Sequence, residues 1–254
     1  MSEPTVLPGC EPMSHDGSRD AGVLVIHGFT GNPSSLRAQA DSFAGLGYHV
    51  ELPRLPGHGT TIDDMLATNW ADWSGEVEAA YQRLVVRTAN VVVMGLSMGG
   101  ALTLWAGLQH PVVAGLVLVN PVAANQADDA RAMIQEMVDD GLTVVPGIGS
   151  DIADPDATEI AYDGTPLVPL LSLYNDGIGP IADRFGELAM PILLYTSKND
   201  HVVPPAASDH LAATAGGAVE HVLLERSYHV ATQDYDAAAI TAGAAAFVAR
   251  VTGA

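Results

Sequence analysis

Apolar residues along this chain come in short, dense runs rather than long stripes. Residues 22–26, 91–94, 116–119, 192–195 and 219–224 stand out, mostly bounded by Gly, Pro or Asn. Runs of this length and punctuation read as strands. Most are continuously apolar instead of alternating, so both strand faces are expected to be covered, as parallel strands joined by helical crossovers require. The segments between them are long enough for helices, which the pattern places at residues 33–46, 70–86, 98–109, 205–215 and 234–251. The fold class this rhythm predicts is α/β: a mostly parallel central sheet flanked by helices.

The rhythm breaks between Pro121 and about Arg184. Acidic pairs at Asp128-Asp129 and Asp139-Asp140 lead into Pro146-Gly147-Ile148-Gly149-Ser150-Asp151, and a stretch rich in Pro and Leu follows. This reads as an insertion in a single domain, with the core at residues 1–120 and 186–254 and a cap at 121–185. Such a segment between two core strands is placed to cover a site at the strand ends. No internal repeat or low-complexity linker interrupts the chain.

A length of 254 residues suits one large α/β domain, and 48% apolar against 16% charged residues provides for a full core. With 10 basic and 30 acidic side chains the formal charge is −20, so nucleic acid and anionic membrane surfaces are expected to be repelled. A neutral or cationic small molecule suits this charge better. The first twenty residues hold no cationic start followed by an apolar stretch, and the apolar runs are too short to cross a bilayer. A cytoplasmic location is expected. Cys10 stands alone and is read as incidental. No Cys/His cluster suggests zinc, and neither a metal nor an organic cofactor is expected.

Gly95-Leu96-Ser97-Met98-Gly99 fits G-x-S-x-G between the run 91–94 and the helical pattern that follows. That is the context of a nucleophile elbow, in which a sharp strand-to-helix turn exposes the serine hydroxyl and flanking glycines permit the tight backbone. A neutral serine needs a base, and the base needs an acid to hold its tautomer. In α/β-hydrolases these follow the serine in the order acid, then histidine. Asp200 closes the run that begins at residue 192, and His229 follows the last strand. Asp176 and Asp183 fall inside the cap, Asp234 lies in or near the terminal helix, and His201, His210 and His221 precede the final loop. Asp200 and His229 are therefore preferred. In His27-Gly28-Phe29-Thr30-Gly31, after the first strong strand, the Phe29 amide is the candidate oxyanion donor, with the Met98 amide as its partner. His58 is assigned to local hydrogen bonding, and Trp70 and Trp73 to packing.

Taken together, His27-Gly28-Phe29-Thr30-Gly31, Gly57-His58-Gly59-Thr60, Gly95-Leu96-Ser97-Met98-Gly99-Gly100, Asp200-His201-Val202-Val203-Pro204 and Ser227-Tyr228-His229-Val230-Ala231-Thr232 make the chain resemble bacterial monoacylglycerol lipases and related small carboxylesterases of the α/β-hydrolase superfamily. The stretch Gly147-Ile148-Gly149-Ser150-Asp151-Ile152, with Glu159 soon after, is similar to the monoacylglycerol lipase cap. The resemblance implies an α/β-hydrolase fold, hydrolysis of a neutral lipid ester to glycerol and fatty acid, and no cofactor. It also implies that Glu159 contacts the glycerol head group and that Ile148 lines the acyl route. A broad short-chain carboxylesterase would use the same residues, and a non-catalytic binding protein could share the fold.

Overall fold

Alternate residues of the central strands enter two separate apolar clusters, one on each side of a single sheet. Leu24, Ile26, Val91, Val93, Leu116, Leu118, Ile192 and Leu194 lie in one. Val23, Val25, Val92, Met94, Val117, Val119, Leu193 and Tyr195 lie in the other. The two-residue period of a strand, applied to runs that are apolar throughout, produces this division. Each fully buried Val, Leu or Ile contributes roughly 1.5–3 kcal/mol of transfer free energy.

The computed structural model describes residues 4–254 of the chain, so the first three residues of the expected core lie outside the description. The sheet contains β1 (Met13–His15), β2 (Gly22–Ile26), β3 (His49–Leu52), β4 (Val91–Leu96), β5 (Gly115–Val119), β8 (Ile192–Ser197) and β9 (Val219–Leu224). Their order across the sheet is β1-β3-β2-β4-β5-β8-β9. Only the β1–β3 pair is antiparallel. Helices α3 (Trp70–Val85) and α4 (Met98–Gln109) cover one face; α1 (Arg37–Gly45) and α8 (Ala237–Thr252) cover the other. Asn69 starts α3 with a capping box closed by Asp72, satisfying amides that the first turn leaves free.

Several boundaries differ from the sequence reading. The expected helix at 33–46 begins as a 3-10 turn, Pro33–Leu36, before α1. The terminal helix starts three residues late, because a 3-10 turn at Ala231–Gln233 precedes it. Strand β9 is an edge strand with Val222 and Leu223 exposed, so the two-sided cover expected for most of the runs stops short of it. Edge strand β1 and its neighbour β3 were not anticipated.

The segment expected to form the cap carries elements of its own. Helix α5 (Asp128–Asp139) has no buried residue. Strands β6 (Val144–Pro146) and β7 (Gly164–Pro166) pair antiparallel, apart from the main sheet. Helix α6 (Leu167–Ser172) and a π-helical stretch, Leu173–Ile178, follow, and Leu173 and Ile178 join the cluster that contains α3 and α4. A last 3-10 turn, Ala182–Glu187, runs across the expected boundary between cap residue 185 and core residue 186. Helix α5 is thus superficial, whereas the stretch from Leu167 onward is bound into the core. Helix α2 (Ile62–Leu66) lies before α3, and α7 (Ala206–Thr214) lies between β8 and β9. Among the described residues no helix is long and apolar enough to cross a membrane.

Strand order reverses direction between β2 and β4: from β2 the chain proceeds outward to β3, then returns to the other side of β2. Open parallel sheets form their ligand crevice at the carboxyl ends of strands beside such a switch point. The loops at Phe29 and Ser97 leave these two strands there.

Candidate active site

Ser97 sits at the turn from β4 to α4 with φ 57° and ψ −119°, a backbone region that non-glycine residues rarely adopt. Strain of this kind costs on the order of 1–3 kcal/mol and persists only where the surroundings enforce it. Here the Ser97 amide donates to Val119 O, and its carbonyl accepts from the amides of Gly100, Ala101 and Val122. The flanking glycines are steric requirements. A Cβ on Gly95 would lie 2.1 Å from Gly99 O, and one on Gly99 would lie 2.1 Å from Ile26 O. The serine is 8% exposed and faces a cavity of about 280 Å³.

His229 lines the same cavity. Its Nδ1 is 2.7 Å from Asp200 Oδ2, while Asp200 Oδ1 accepts from the Val202 and Val203 amides at 2.8 Å each. A carboxylate oxygen facing Nδ1 fixes a ring proton on that nitrogen. This leaves Nε2 as the ring's acceptor. No hydrogen bond joins the Ser97 hydroxyl to the ring among the side-chain bonds of the described residues; such contacts commonly tighten only around a substrate. The competing acids lie elsewhere. Asp176 accepts from Ser172 Oγ, Asp183 is exposed, and Asp234 accepts backbone amides. Of the competing histidines, His221 bonds Thr196 and His201 bonds Asp151.

Two supporting residues escaped the sequence reading. Asn120, at the end of β5 with φ 44°, takes the Ser197 amide on Oδ1 at 2.7 Å. Its Nδ2 donates to Ser197 Oγ at 2.9 Å and to His229 O at 2.7 Å. One buried amide thereby joins the end of β8 to the histidine loop. Asp151, from the segment between β5 and β8, accepts the backbone amides of His201 and His229. Neither residue belongs to a spacing motif. For Asn120 the sequence signal was its place immediately before Pro121 at a strand end, a turn pattern without a stated partner; Asp151 lies in the stretch 147–152 likened to the lipase cap, which gave it no role.

The loop after β2 is fixed from behind. His27 Nδ1 lies 3.0 Å from Gly28 O, and Leu55 N donates to His27 Nε2 at 3.1 Å. Burial, with His58 nearby, holds the His27 pKa well below the usual histidine value, so the neutral ring donates at one nitrogen and accepts at the other. His58 is likewise held down, to about 4, chiefly by burial, and its Nδ1 meets Pro56 O. Trp73 Nε1 donates to Pro56 O, and both Trp70 and Trp73 lie in the core, in keeping with the packing role expected of them. Among the described residues the Phe29 amide makes no backbone hydrogen bond as a donor, and Met98 opens α4, where an amide has no intrahelical acceptor.

Glu159 and Ile148 both line the Ser97 cavity. Glu159 is half-buried in an irregular stretch, with Oε1 3.2 Å from where a Cβ on Gly31 would stand. Burial raises its carboxyl from 4.5 to about 7, with His229 nearby working in the opposite direction. Ile148 is 67% exposed, which places it at the rim rather than the floor. Val122, Leu170, Leu173 and Val203 supply apolar wall. The arrangement can present a hydroxyl and an imidazole nitrogen to one small apolar-walled space, with Phe29 on its lining.

The α/β-hydrolase family model, described as "Alpha/beta hydrolase family", matches residues 23–242. A thermostable monoacylglycerol lipase from Bacillus sp. (strain H-257) is 39% identical over 251 residues, covering 98% of each chain. A carboxylesterase from Bacillus subtilis (strain 168) is 23% identical over 194 residues, covering 76% of this chain and 77% of its own. A solved structure from work on LipS and LipT, two metagenome-derived lipolytic enzymes, superposes with a TM-score of 0.91 at 40% identity, covering 97% of this chain and all of the other. A family match across most of the sequence, a relative of this identity over nearly its full length, and the strand-end site described above make one conclusion plain: the chain belongs to the α/β-hydrolase family.

Proposed function

We propose that this protein is a serine esterase that hydrolyses monoacylglycerols to glycerol and fatty acid. The observation that carries the reading is the closed Asp200–His229 pair, 2.7 Å across, facing one cavity with the strained Ser97. Near-full-length similarity to a monoacylglycerol lipase supports the choice of substrate.

In this mechanism Ser97 Oγ attacks the ester carbonyl carbon while His229 Nε2 takes the hydroxyl proton. The Phe29 and Met98 amides hold the oxyanion, and loss of one such donor costs about 100-fold to 1,000-fold in rate. Collapse breaks the bond to the glycerol oxygen, which leaves with the proton from His229. Water then attacks the acyl-enzyme with the same ring as base, releasing the fatty acid and restoring Ser97. Glu159 binds the glycerol hydroxyls: a carboxyl whose pKa is about 7 both donates and accepts near neutral pH. Ile148 guides the acyl chain at the cavity mouth, and residues 121–185 act as the cap. A cytoplasmic location belongs to the same proposal.

The cavity volume of about 280 Å³, at the small end for ligand sites, favours a second reading in which short-chain esters are the substrates. Fatty-acid release from long-chain monoacylglycerol, di- and triacylglycerol and a short-chain ester separates the two, with Ser97→Ala alongside. Preference for monoacylglycerol and an inactive variant are expected. Turnover of the short ester alone selects the second reading, and full activity in Ser97→Ala removes both.

A further inference from the structure

We propose that Asp151 is a positioning residue for the acid–base pair, locking the loops of Asp200 and His229 to each other through their backbones. This rests on the serine-esterase reading. Asp151 Oδ2 accepts the His229 amide at 3.0 Å and the amide of His201, the residue after Asp200, at 3.2 Å. Its Oδ1 meets His201 Nδ1 at 2.8 Å, and its carbonyl accepts from Val230 N at 3.0 Å. A single side chain, 10% exposed, therefore spans both loops.

The core answers with a second carboxylate. Asp234 Oδ2 accepts from Ala153 N and from Tyr228 N, both at 2.8 Å, and its Oδ1 accepts from Asp154 N at 3.1 Å. Residues 151–154 are thus stitched to residues 228–230 from both sides. His229 is consequently held at two ends, at its ring by Asp200 and at its backbone by Asp151. This part of the inserted segment is a fixed member of the catalytic frame, whereas α5 buries no residue.

A reacting group displaced by about 1 Å loses on the order of 100-fold in rate. Steady-state kinetics on a soluble short-chain ester, for wild type, Asp151→Ala and Asp151→Asn, read that loss. We expect kcat to fall about 100-fold in Asp151→Ala with KM changed by less than about threefold. Asn keeps a carbonyl oxygen for the two amides and recovers at least about tenfold of the loss. The downfield proton of His229 Nδ1, followed by nuclear magnetic resonance, moves or broadens in the Ala variant and returns in the Asn variant. If Asp151→Ala does not fold, Asp151→Ser takes its place: it stays polar but is too short to reach both amides. A folded variant with near wild-type kcat, a raised KM at unchanged kcat, or an Asn variant as impaired as Ala overturns the proposal. If wild type cleaves no ester yet the resonance responds as described, the clamp is supported and the esterase reading falls.

Discussion

Replacing Glu159 by Gln isolates the burden of a buried acid. The Glu159 carboxyl lies beside Gly31 in the cavity wall, and burial lifts its pKa from 4.5 to about 7. Between these two values the folded protein binds more protons than the unfolded chain, so stability falls as pH rises through this window. Below 4.5 the acid is neutral in both states and the penalty is absent; above about 7 it is fully developed. Gln carries no such dependence. Each pH unit between the two pKa values corresponds to about 1.4 kcal/mol, giving a ceiling of roughly 3 kcal/mol. Partial solvent access reduces this to about 2 kcal/mol. For a chain of this size the equivalent is about 4–8 °C in Tm. Thermal melts of wild type and Glu159→Gln at half-unit steps from pH 4.5 to 8.5 provide the test. The Gln variant should match wild type at the acid end and exceed it at the alkaline end. A gap independent of pH, or a less stable variant at pH 8, would refute the argument.

Three further substitutions test the packing and pairing of the core and its surface. Gly99→Ala puts a Cβ 2.1 Å from Ile26 O, and should lower Tm by more than about 8 °C or prevent soluble expression. Gly45→Ala, with nothing within 4 Å, should instead hold or raise Tm, since Ala is favoured in helices by up to about 1 kcal/mol. Glu51 is 2% exposed and pairs with Arg83, Arg87 and Ser14 Oγ. Its replacement by Ala leaves arginines without their buried partner, an expected loss of about 3 kcal/mol in urea unfolding, with kcat on a soluble ester unchanged.

What the sequence revealed, and what it hid, follows from the range of the interactions. The run 91–94 is buried on both faces, so its composition alone marked it as a central strand. Ser97 was legible because its requirements are local: a strand before it, a helix after it and two glycines. The preference for Asp200 and His229 came from chain order, a property of the topology. Strand β3, by contrast, contains Glu51, whose burial depends on arginines more than 30 residues away; in sequence it looks like a polar interruption. Asn120 and Asp151 were silent for the same reason. Most of their partners are backbone amides and carbonyls, which leave no residue-type signature, and they lie 77 to 109 and 50 to 78 residues away, respectively. Helix α5 was hidden by acidic pairs at its two ends. The first pair suits a helix start, but neither pair advertises a periodic apolar face.

The contact between Gly99 and the carbonyls of Ile26 and His27 reaches beyond local fit. It makes the turn that carries Ser97 and the loop that carries Phe29 two surfaces of one solid body, built on neighbouring strands at the centre of the sheet. Neither turn can be retuned without disturbing the other. A change in either turn must be matched in the other, a constraint that does not reach α5, which buries nothing, or Ile148 at the cavity rim.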